Sequence, residues 1–240
     1  GTAPYEPTPP QLPAPTSLPP AERRRTTPTI RLAMAAAEAT LAVAGLDPSG
    51  LASVFSSANG DGTVIDAILA TLATPQRAVS PTQFHNSVHN SPAAYWAIGH
   101  GSNGPSTSLG CWDASFAAGL LQAAAKVRTR RQPVLFCAYD AAFPPPLAAV
   151  RPTSLPFATA MILTPTPEPY SEAEIAIHFA VGACDEALAA PRPTSLRPLR
   201  QTNAAAHGLR LLETVARREA DIVQLAYLDD SHLVVEVTPC

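Results

Sequence analysis

Residues Gly104–Ala124 read GPSTSLGCWDASFAAGLLQAA, a pattern that predicts a strand over Ser106–Gly110, a tight turn and a helix of small residues. A residue at such a helix start meets the positive end of the helix dipole and free backbone N–H groups, which lower a thiol pKa and stabilise an oxyanion. Cys111 is therefore a candidate nucleophile. In the alternative interpretation, Asp113 or Ser115 caps a buried helix and Cys111 is a small core residue.

The rest of the chain alternates between helical and strand patterns. Helices are predicted over 21–46, 63–74, 93–98 and 204–220, and strands within 51–60, 134–139, 157–165, 172–182 and 232–237. An irregular stretch is expected from residue 80 to the helix at 93. The helix at 63–74 is expected to point four side chains inward, namely Val64, Ile65, Ile68 and Leu72. This alternation predicts an α/β fold with a mixed sheet and helices on both faces.

The proline content and the length indicate the domain organisation. The chain has 240 residues, of which 27 are prolines, and 46% of its residues are hydrophobic. Residues 1–21 are rich in proline and poor in apolar side chains, so we expect a proline-rich N-terminal extension there. Residues 22–240 are long enough to bury one core and are expected to form a single domain.

Charge and cysteine content argue against several protein classes. The net charge of −3 and the pI near 6.1 give no electrostatic reason to expect nucleic acid or an anionic membrane as a partner. No apolar run reaches the ~18–20 residues that span a bilayer, and the first residues lack signal-peptide features. Four cysteines without a CxxC pair are typical of reduced thiols, so we expect a cytoplasmic protein.

Other candidate motifs are weak. His85 and His89 have a metal-site spacing, but asparagines and prolines surround them and a third ligand is missing, so no metal is expected. The sequence has no GxSxG, no Walker lysine and no GxGxxG, so no cofactor is expected. Asp140 follows a buried strand, where a carboxylate serves in a turn or cap as often as in a site.

The segment from Ser80 to Ala124 resembles one segment of the β-ketoacyl synthases, which have a thiolase fold. In that family a Ser-Pro pair and two asparagines precede an apolar helix, a Gly-x-x-Gly-Pro turn, a strand and the nucleophile turn. The corresponding positions are Ser80, Pro81, Asn86, Asn90, the helix at 94–98, Gly101, Gly104 and Pro105. The chain is about half as long as a complete condensing enzyme, so the resemblance implies a reduced, half-length thiolase-like fold.

The departures from the family pattern concern the catalytic residues. Counting from Gly104 and Pro105, the family's cysteine position falls on Asp113, and Cys111 lies two residues earlier, on the strand. Active members also carry two histidines, in a Pro-His-Gly-Thr motif and an Asn-x-x-Gly-Phe-Gly-Gly motif. Neither motif is present, and the later histidines match neither pattern; they are His178, His207 and His232.

This pattern resembles the small β-ketoacyl synthase-like N-terminal proteins of aryl polyene and xanthomonadin-type pigment pathways. The resemblance implies a chain-length-factor role, in which the chain pairs with a catalytic ketosynthase as a heterodimer or larger assembly. The acyl carrier protein would then bind through that partner. The implied interface residues are Ser106, Thr107, Ser108, Leu109, Gly110, Asn86 and Asn90. The implied tunnel residues are Phe157, Ser115 and Trp112.

Two other functions stay open at this point. The chain could be an active β-ketoacyl synthase or acyltransferase that uses Cys111, with the turn shifted by a gap. It could instead form a structural homodimer without acyl chemistry.

Overall fold

Seven strands form two sheets in the computed structural model, which describes residues 5–8, 10, 12–153 and 155–240. In chain order they are β1 (Ala52–Ser56), β2 (Ser106–Leu109), β3 (Val134–Asp140), β4 (Phe157–Leu163), β5 (Ala173–Val181), β6 (Asp221–Leu228) and β7 (Ser231–Pro239). The first sheet has the order β2-β1-β3-β4, and the second has the order β5-β7-β6. Strands β1, β2 and β3 are mutually parallel, and all the other pairings are antiparallel.

Ten helices surround these sheets in the described residues. They are α1 (Pro20–Arg23), α2 (Pro28–Ala44), α3 (Gly62–Leu72), α4 (Pro81–Ser87), α5 (Ser91–His100), α6 (Ser115–Arg130), α7 (Pro145–Ala148), α8 (Glu186–Ala189), α9 (Arg197–Thr202) and α10 (Leu209–Arg217). Two 3₁₀ segments, Thr194–Leu196 and Ala204–Gly208, flank α9.

Helices cover both faces of the first sheet, as the sequence predicts. Side chains of α2 and α5 pack with Phe55 and Leu135 on one face, while Phe116 and Leu120 of α6 pack with Phe136 on the other. Every residue of β1 and β3 is therefore buried. Strand β3 is apolar up to its last residue, Asp140, whereas β1 also buries Ser53 and Ser56. The predicted mixed α/β class is confirmed.

Helix α6 lies between the two sheets. Its apolar residues share one core with Val223, Leu225, Leu233 and Val235 of the second sheet. A side chain at Gly119 would place its Cβ 2.7 Å from Ser56 Oγ, so the absence of a side chain here lets α6 pack closely against the first sheet.

The structure corrects three of the predicted elements and contains a strand that was not predicted. The helix predicted from residue 21 is divided, because Thr27 caps a new helix at the Ile30 N–H and Pro28 occupies its first turn. Residues 81–87 form α4 instead of an irregular stretch. The helix predicted from residue 204 begins as a 3₁₀ segment, and β6 was not predicted.

The orientation predicted for α3 is wrong at two of its four apolar positions. Val64 is buried and Ile68 is half-buried, but Ile65 and Leu72 face outward. The 3.6-residue pattern identifies an apolar side of a helix, but it does not say what covers that side.

Part of the predicted extension contributes to a small core. Leu18 is buried together with Ile30, Met34 and Tyr95. The predicted boundary between the extension and the domain at residue 21 stays a prediction. The first four residues of the extension lie outside the described residues. None of the helices in the described ranges combines the length and the apolar character that crossing a bilayer requires.

Candidate functional site

The turn between β2 and α6, which we call the elbow (Gly110–Ser115), is held by its own hydrogen bonds. The Ser115 hydroxyl accepts from the Cys111 N–H at 2.9 Å and donates to the Trp112 carbonyl at 2.6 Å. Trp112 stands at the apex with φ of 52°, in the left-handed region, and its side chain is 65% exposed. The elbow therefore keeps a defined backbone shape while it presents a large aromatic ring to solvent.

Asp113 follows the apex and forms an ion pair with Arg151. The Arg151 guanidinium also stacks over the Trp112 ring, 3.8 Å from its centre, and donates to Asn59 Oδ1 at 3.2 Å. A loop that follows β3 thus supplies a cation to the position where the resemblance places a cysteine. Neither Asp113 nor Ser115 caps α6, because the N-cap residue is Ala114 and its side chain makes no capping bond.

Cys111 lies beyond the end of β2 and is exposed to solvent. Both earlier placements of this residue, on the strand and as a small core residue, are therefore wrong. It belongs to the elbow itself, one residue before the apex, and its backbone bridges to Asp113. All four cysteines are described, and all are free thiols.

His207 approaches the elbow from the 3₁₀ segment Ala204–Gly208. Its ring lies beside Asp113, whose main chain and carboxylate both act on the pKa of the histidine. Burial lowers the pKa of His207 and the Arg200 cation lowers it further, whereas the Asp113 carboxylate acts in the opposite direction. A neutral imidazole is therefore favoured beside Asp113.

The other two late histidines lie on the second sheet, where His178 pairs with Glu236 at 3.6 Å and His232 bonds the Gly182 carbonyl at 3.0 Å. Sequence reasoning missed His207 as a site residue, because no motif surrounds it and it reaches the elbow only through the tertiary fold.

Asp140 ends β3 and forms a buried polar centre at the same edge of the first sheet. Its carboxylate accepts from the Ser57 hydroxyl at 2.7 Å, the Asn59 N–H at 2.9 Å and the Ala205 N–H at 3.1 Å. Burial raises the pKa of Asp140, and these hydrogen bonds oppose the rise. Through these bonds Asp140 joins three segments of the chain.

The predicted interface residues divide into two groups. Ser106, Gly110 and Asn90 are exposed, and Thr107, Ser108 and Leu109 are half-buried along the edge of the first sheet. Asn86 is only 3% exposed, and its place in an interface stays a prediction. Its amide donates to the Arg25 carbonyl at 2.8 Å and accepts from the Tyr95 hydroxyl at 3.2 Å, so it ties α4 to the chain's own core.

The predicted tunnel residues occupy different environments. Phe157 is half-buried at the start of β4, opposite Asp140 in the strand register. Ser115 is buried and its hydroxyl is engaged in the elbow, whereas Trp112 is exposed. A tunnel role for these three residues stays a prediction.

The histidine pair on and after α4 serves local contacts. His89 Nε2 lies 3.0 Å from the Ser57 main-chain oxygen, and the His85 ring meets the edge of the Tyr95 ring. Within the described residues, no group of three His, Cys, Asp or Glu side chains is placed to hold a metal ion.

A comparison with known protein families matches residues 2–222 to the family described as Beta-ketoacyl synthase, N-terminal domain. The chain belongs to this family. The matched residues include both sides of the elbow and all four strands of the first sheet. None of the curated proteins matches the chain.

Solved structures show that this ketosynthase-like chain has the thiolase-like fold of the family. It is similar to a chain in the complex of a ketosynthase with its chain length factor from Xenorhabdus doucetiae, with TM-score 0.66, 24% identity, and coverage of 92% of this chain and 82% of that one. It is also similar to a chain of the ishigamide ketosynthase/chain length factor, with TM-score 0.69, 13% identity, and coverage of 96% of this chain and 86% of that one. For a β-ketoacyl synthase from Burkholderia phymatum the TM-score is 0.72 and the identity 12%, with coverage of 96% of this chain and 87% of that one.

Proposed function

We propose that this chain is a non-catalytic, chain-length-factor-like subunit that pairs with a catalytic β-ketoacyl synthase. In this role it helps to set the length of a polyene chain, as in aryl polyene pigment pathways. The observation that carries the proposal is Asp113, paired with Arg151 at the turn where active members carry a cysteine. A carboxylate held by a guanidinium does not provide the thiolate that accepts an acyl group from a carrier thioester.

The histidines support the same assignment of catalysis to the partner subunit. Condensation needs groups that stabilise the thioester oxyanion and the decarboxylation, and active members use two histidines for these tasks. Here His207 lies beside the elbow, and its burial lowers its pKa, which favours the neutral form. In the proposed complex the partner supplies the cysteine and both histidines, and the acyl carrier protein delivers its cargo to that partner.

Strand β2 is well suited to pair with the partner. It lies at the end of the first sheet, and residues 104–110 contain no charged side chain that would discourage strand addition. The carbonyls of Pro105 and Leu109 bond to β1, so by alternation the backbone groups of Ser106 and Ser108 point toward the free edge. An antiparallel strand of the partner would bond to these groups.

Reconstitution with the complete ketosynthases of the same organism tests the proposal. We expect one of them to co-purify with this chain and to condense malonyl units on a carrier protein only as the complex. Alanine at the partner's nucleophilic cysteine should abolish condensation, whereas Cys111→Ala and Asp113→Ala in this chain should leave the condensation rate within about twofold.

One result would favour the active-enzyme alternative, in which Cys111 is the nucleophile. That result is condensation by the purified chain alone that disappears in Cys111→Ala. A chain that forms only homodimers and retains none of the ketosynthases would instead favour the structural alternative.

A further inference from the structure

Strand β5 is a long edge strand of the second sheet. It has nine residues, and among the described helices and strands only β7 packs extensively along it. The opposite edge of the sheet, β6, is bordered by α8, where the Asp185 N–H donates to the side chain of Gln224 at 2.6 Å. The chain therefore borders one edge of this sheet with its own helix and leaves the other edge open.

The backbone of β5 presents hydrogen-bonding groups to the open edge. At the two ends of the strand, the Gly182 N–H donates to the Asp230 carbonyl, and the Cys240 N–H donates to the Glu172 carbonyl. By alternation, the even-numbered residues of β5 bond to β7 and the odd-numbered residues point their N–H and C=O groups away from it. The odd-numbered residues are Ala173, Ile175, Ile177, Phe179 and Val181.

Strand β5 has few of the features by which exposed edges avoid pairing, which include prolines, lysines and bulges. It contains neither proline nor lysine, and its register with β7 runs without a shift. The shift recorded in this sheet lies on β6, between Ala226 and Leu228. The sequence and the regular register of β5 therefore favour the addition of another strand.

The odd-numbered side chains of β5 lie on the sheet face that packs against the core. Ile175 and Ile177 contact that core, whereas Phe179 and Val181 are 59% and 79% exposed. The Phe179 ring meets the Tyr227 ring edge-on, with 6.3 Å between the ring centres. This face of β5 is therefore wholly apolar, and the end of the strand is incompletely covered.

A second copy of β5 complements this apolar face. The register that pairs the whole strand antiparallel with itself has a two-fold axis at Ile177, so that Ile177 faces the same residue of the second copy. Phe179 then faces the second copy's Ile175. Val181 faces the second copy's Ala173. Each apolar position meets an apolar position, and the free N–H and C=O groups of both strands find partners.

The polar side chains on the opposite face fit the same register. Glu174 would lie directly opposite the second copy's Ala180 and diagonally across from its His178. Within its own chain His178 already faces Glu236, with 3.6 Å between Nε2 and the carboxylate. Each imidazole would thus lie near two carboxylates, and no two like charges would stand directly opposite each other across the new pairing.

We propose that β5 pairs with β5 of a second copy of this chain and joins their two three-stranded sheets into one continuous sheet. This inference goes beyond the proposed function and does not depend on it. The pairing uses the second sheet, whereas the proposed ketosynthase contact uses β2 of the first sheet. One assembly can therefore contain both contacts, with two copies of this chain and two of the ketosynthase.

Light scattering after size-exclusion chromatography of the purified chain tests the inference. We expect the wild type to have twice the chain mass of 25.0 kDa. Phe179→Lys should raise the dissociation constant of the dimer about 100-fold, because the symmetric contact receives the lysine twice, at about tenfold each. Leu228→Lys is the matched control and should stay dimeric, since Leu228 is also 59% exposed but lies on β6. Both variants should melt near the wild-type temperature.

Two proline variants identify the edge that pairs. Phe179→Pro removes an N–H that points away from β7, and Ser108→Pro removes one that points to the free edge of β2. We expect Phe179→Pro to be monomeric and Ser108→Pro to remain dimeric. If Phe179→Pro does not fold, Phe179→Lys alone decides between the two edges, because a lysine on an exposed position leaves the backbone bonds to β7 intact.

Three outcomes would overturn the inference. They are a wild-type chain that is monomeric at every concentration tested, a dimer that both Phe179 variants leave intact, and a dimer that only Ser108→Pro dissociates. The last outcome would place the contact between copies at β2. Because no ketosynthase is present in this experiment, its result is separate from co-purification, which tests the proposed function.

Discussion

Two aspartates stand at the same edge of the first sheet, one at the end of β3 and one shortly after β2. Asp140 is completely buried and accepts from a hydroxyl and two main-chain N–H groups. Asp113 is exposed, and its carboxylate is paired with one side chain, Arg151. A carboxylate bound by buried main-chain donors is part of the fold, whereas an ion pair with an exposed carboxylate contributes little to stability.

The 3₁₀ segment Ala204–Gly208 contacts both aspartates. Ala205 donates its N–H to Asp140, and two residues later His207 lies beside Asp113. One end of this short segment therefore lies at the buried carboxylate of Asp140, and the other lies at Asp113. Four experiments test the distinction between the two aspartates.

Asp140→Ala should have the largest effect on stability. It leaves the Ser57 hydroxyl and the N–H groups of Asn59 and Ala205 without their acceptor in a buried site. We expect the free energy of unfolding to fall by about 3–4 kcal/mol, measured by urea denaturation. A loss below about 1 kcal/mol would contradict the structural role assigned to this residue.

Gly208→Ala should disturb both ends of the 3₁₀ segment. A methyl group at this position would overlap the buried ring of Phe116, so the ring or the segment must shift. We expect a loss of about 1–3 kcal/mol in the free energy of unfolding. Gly50→Ala is the matched control, because a methyl group there meets no atom within 4 Å. Equal effects of the two substitutions would show that the packing of Phe116 does not fix the segment.

Substitutions at the ion pair should be much milder. Asp113→Ala removes a solvent-exposed partner and should change the free energy of unfolding by less than about 0.5 kcal/mol. Arg151→Ala also removes the stacking on Trp112 and the bond to Asn59, so about 1 kcal/mol is expected. If Asp113→Ala costs as much as Asp140→Ala, the distinction between the two aspartates fails.

The pH dependence that His207 contributes should be the smallest effect. Burial lowers the pKa of His207 below its ordinary value of 6.5, so between the folded pKa and 6.5 the unfolded chain binds more protons. Stability therefore falls as the pH drops through that window. His207→Gln should lose this part of the pH dependence, as measured by thermal melts from pH 7.5 to 5. If the melting temperature of His207→Gln depends on pH as the wild type's does, burial does not lower the pKa of His207.

The sequence predicted the elements whose signal is local. Strand β3 is a short apolar run, β1 combines apolar residues with two serines, and the small residues of α6 indicate a helix that passes through a core. The assignment of Asp113 rests on a count without gaps from the Gly-Pro turn and stays a prediction. These features depend on residues that are neighbours in sequence, so the sequence alone is enough to predict them.

The sequence could not predict the features that depend on distant segments. Arg151 and His207 reach the elbow from loops 38 and 94 residues away in sequence from Asp113, and no motif marks either one. The burial of Asn86 depends on Arg25 and Tyr95, which neither the Ser-Pro pair nor the asparagine spacing specifies. The outward turn of Ile65 and Leu72 depends on which surfaces the rest of the chain covers.

The hydrogen bonds of the elbow have a consequence for how this family diversifies. Its backbone is held by the Ser115 hydroxyl and by the left-handed conformation of Trp112, and neither uses the side chain of residue 113. Folding therefore places little constraint on that side chain. Under the proposed function, a duplicated gene would lose the nucleophile at this position and still encode a folded product, while the partner subunit retains the catalytic residues.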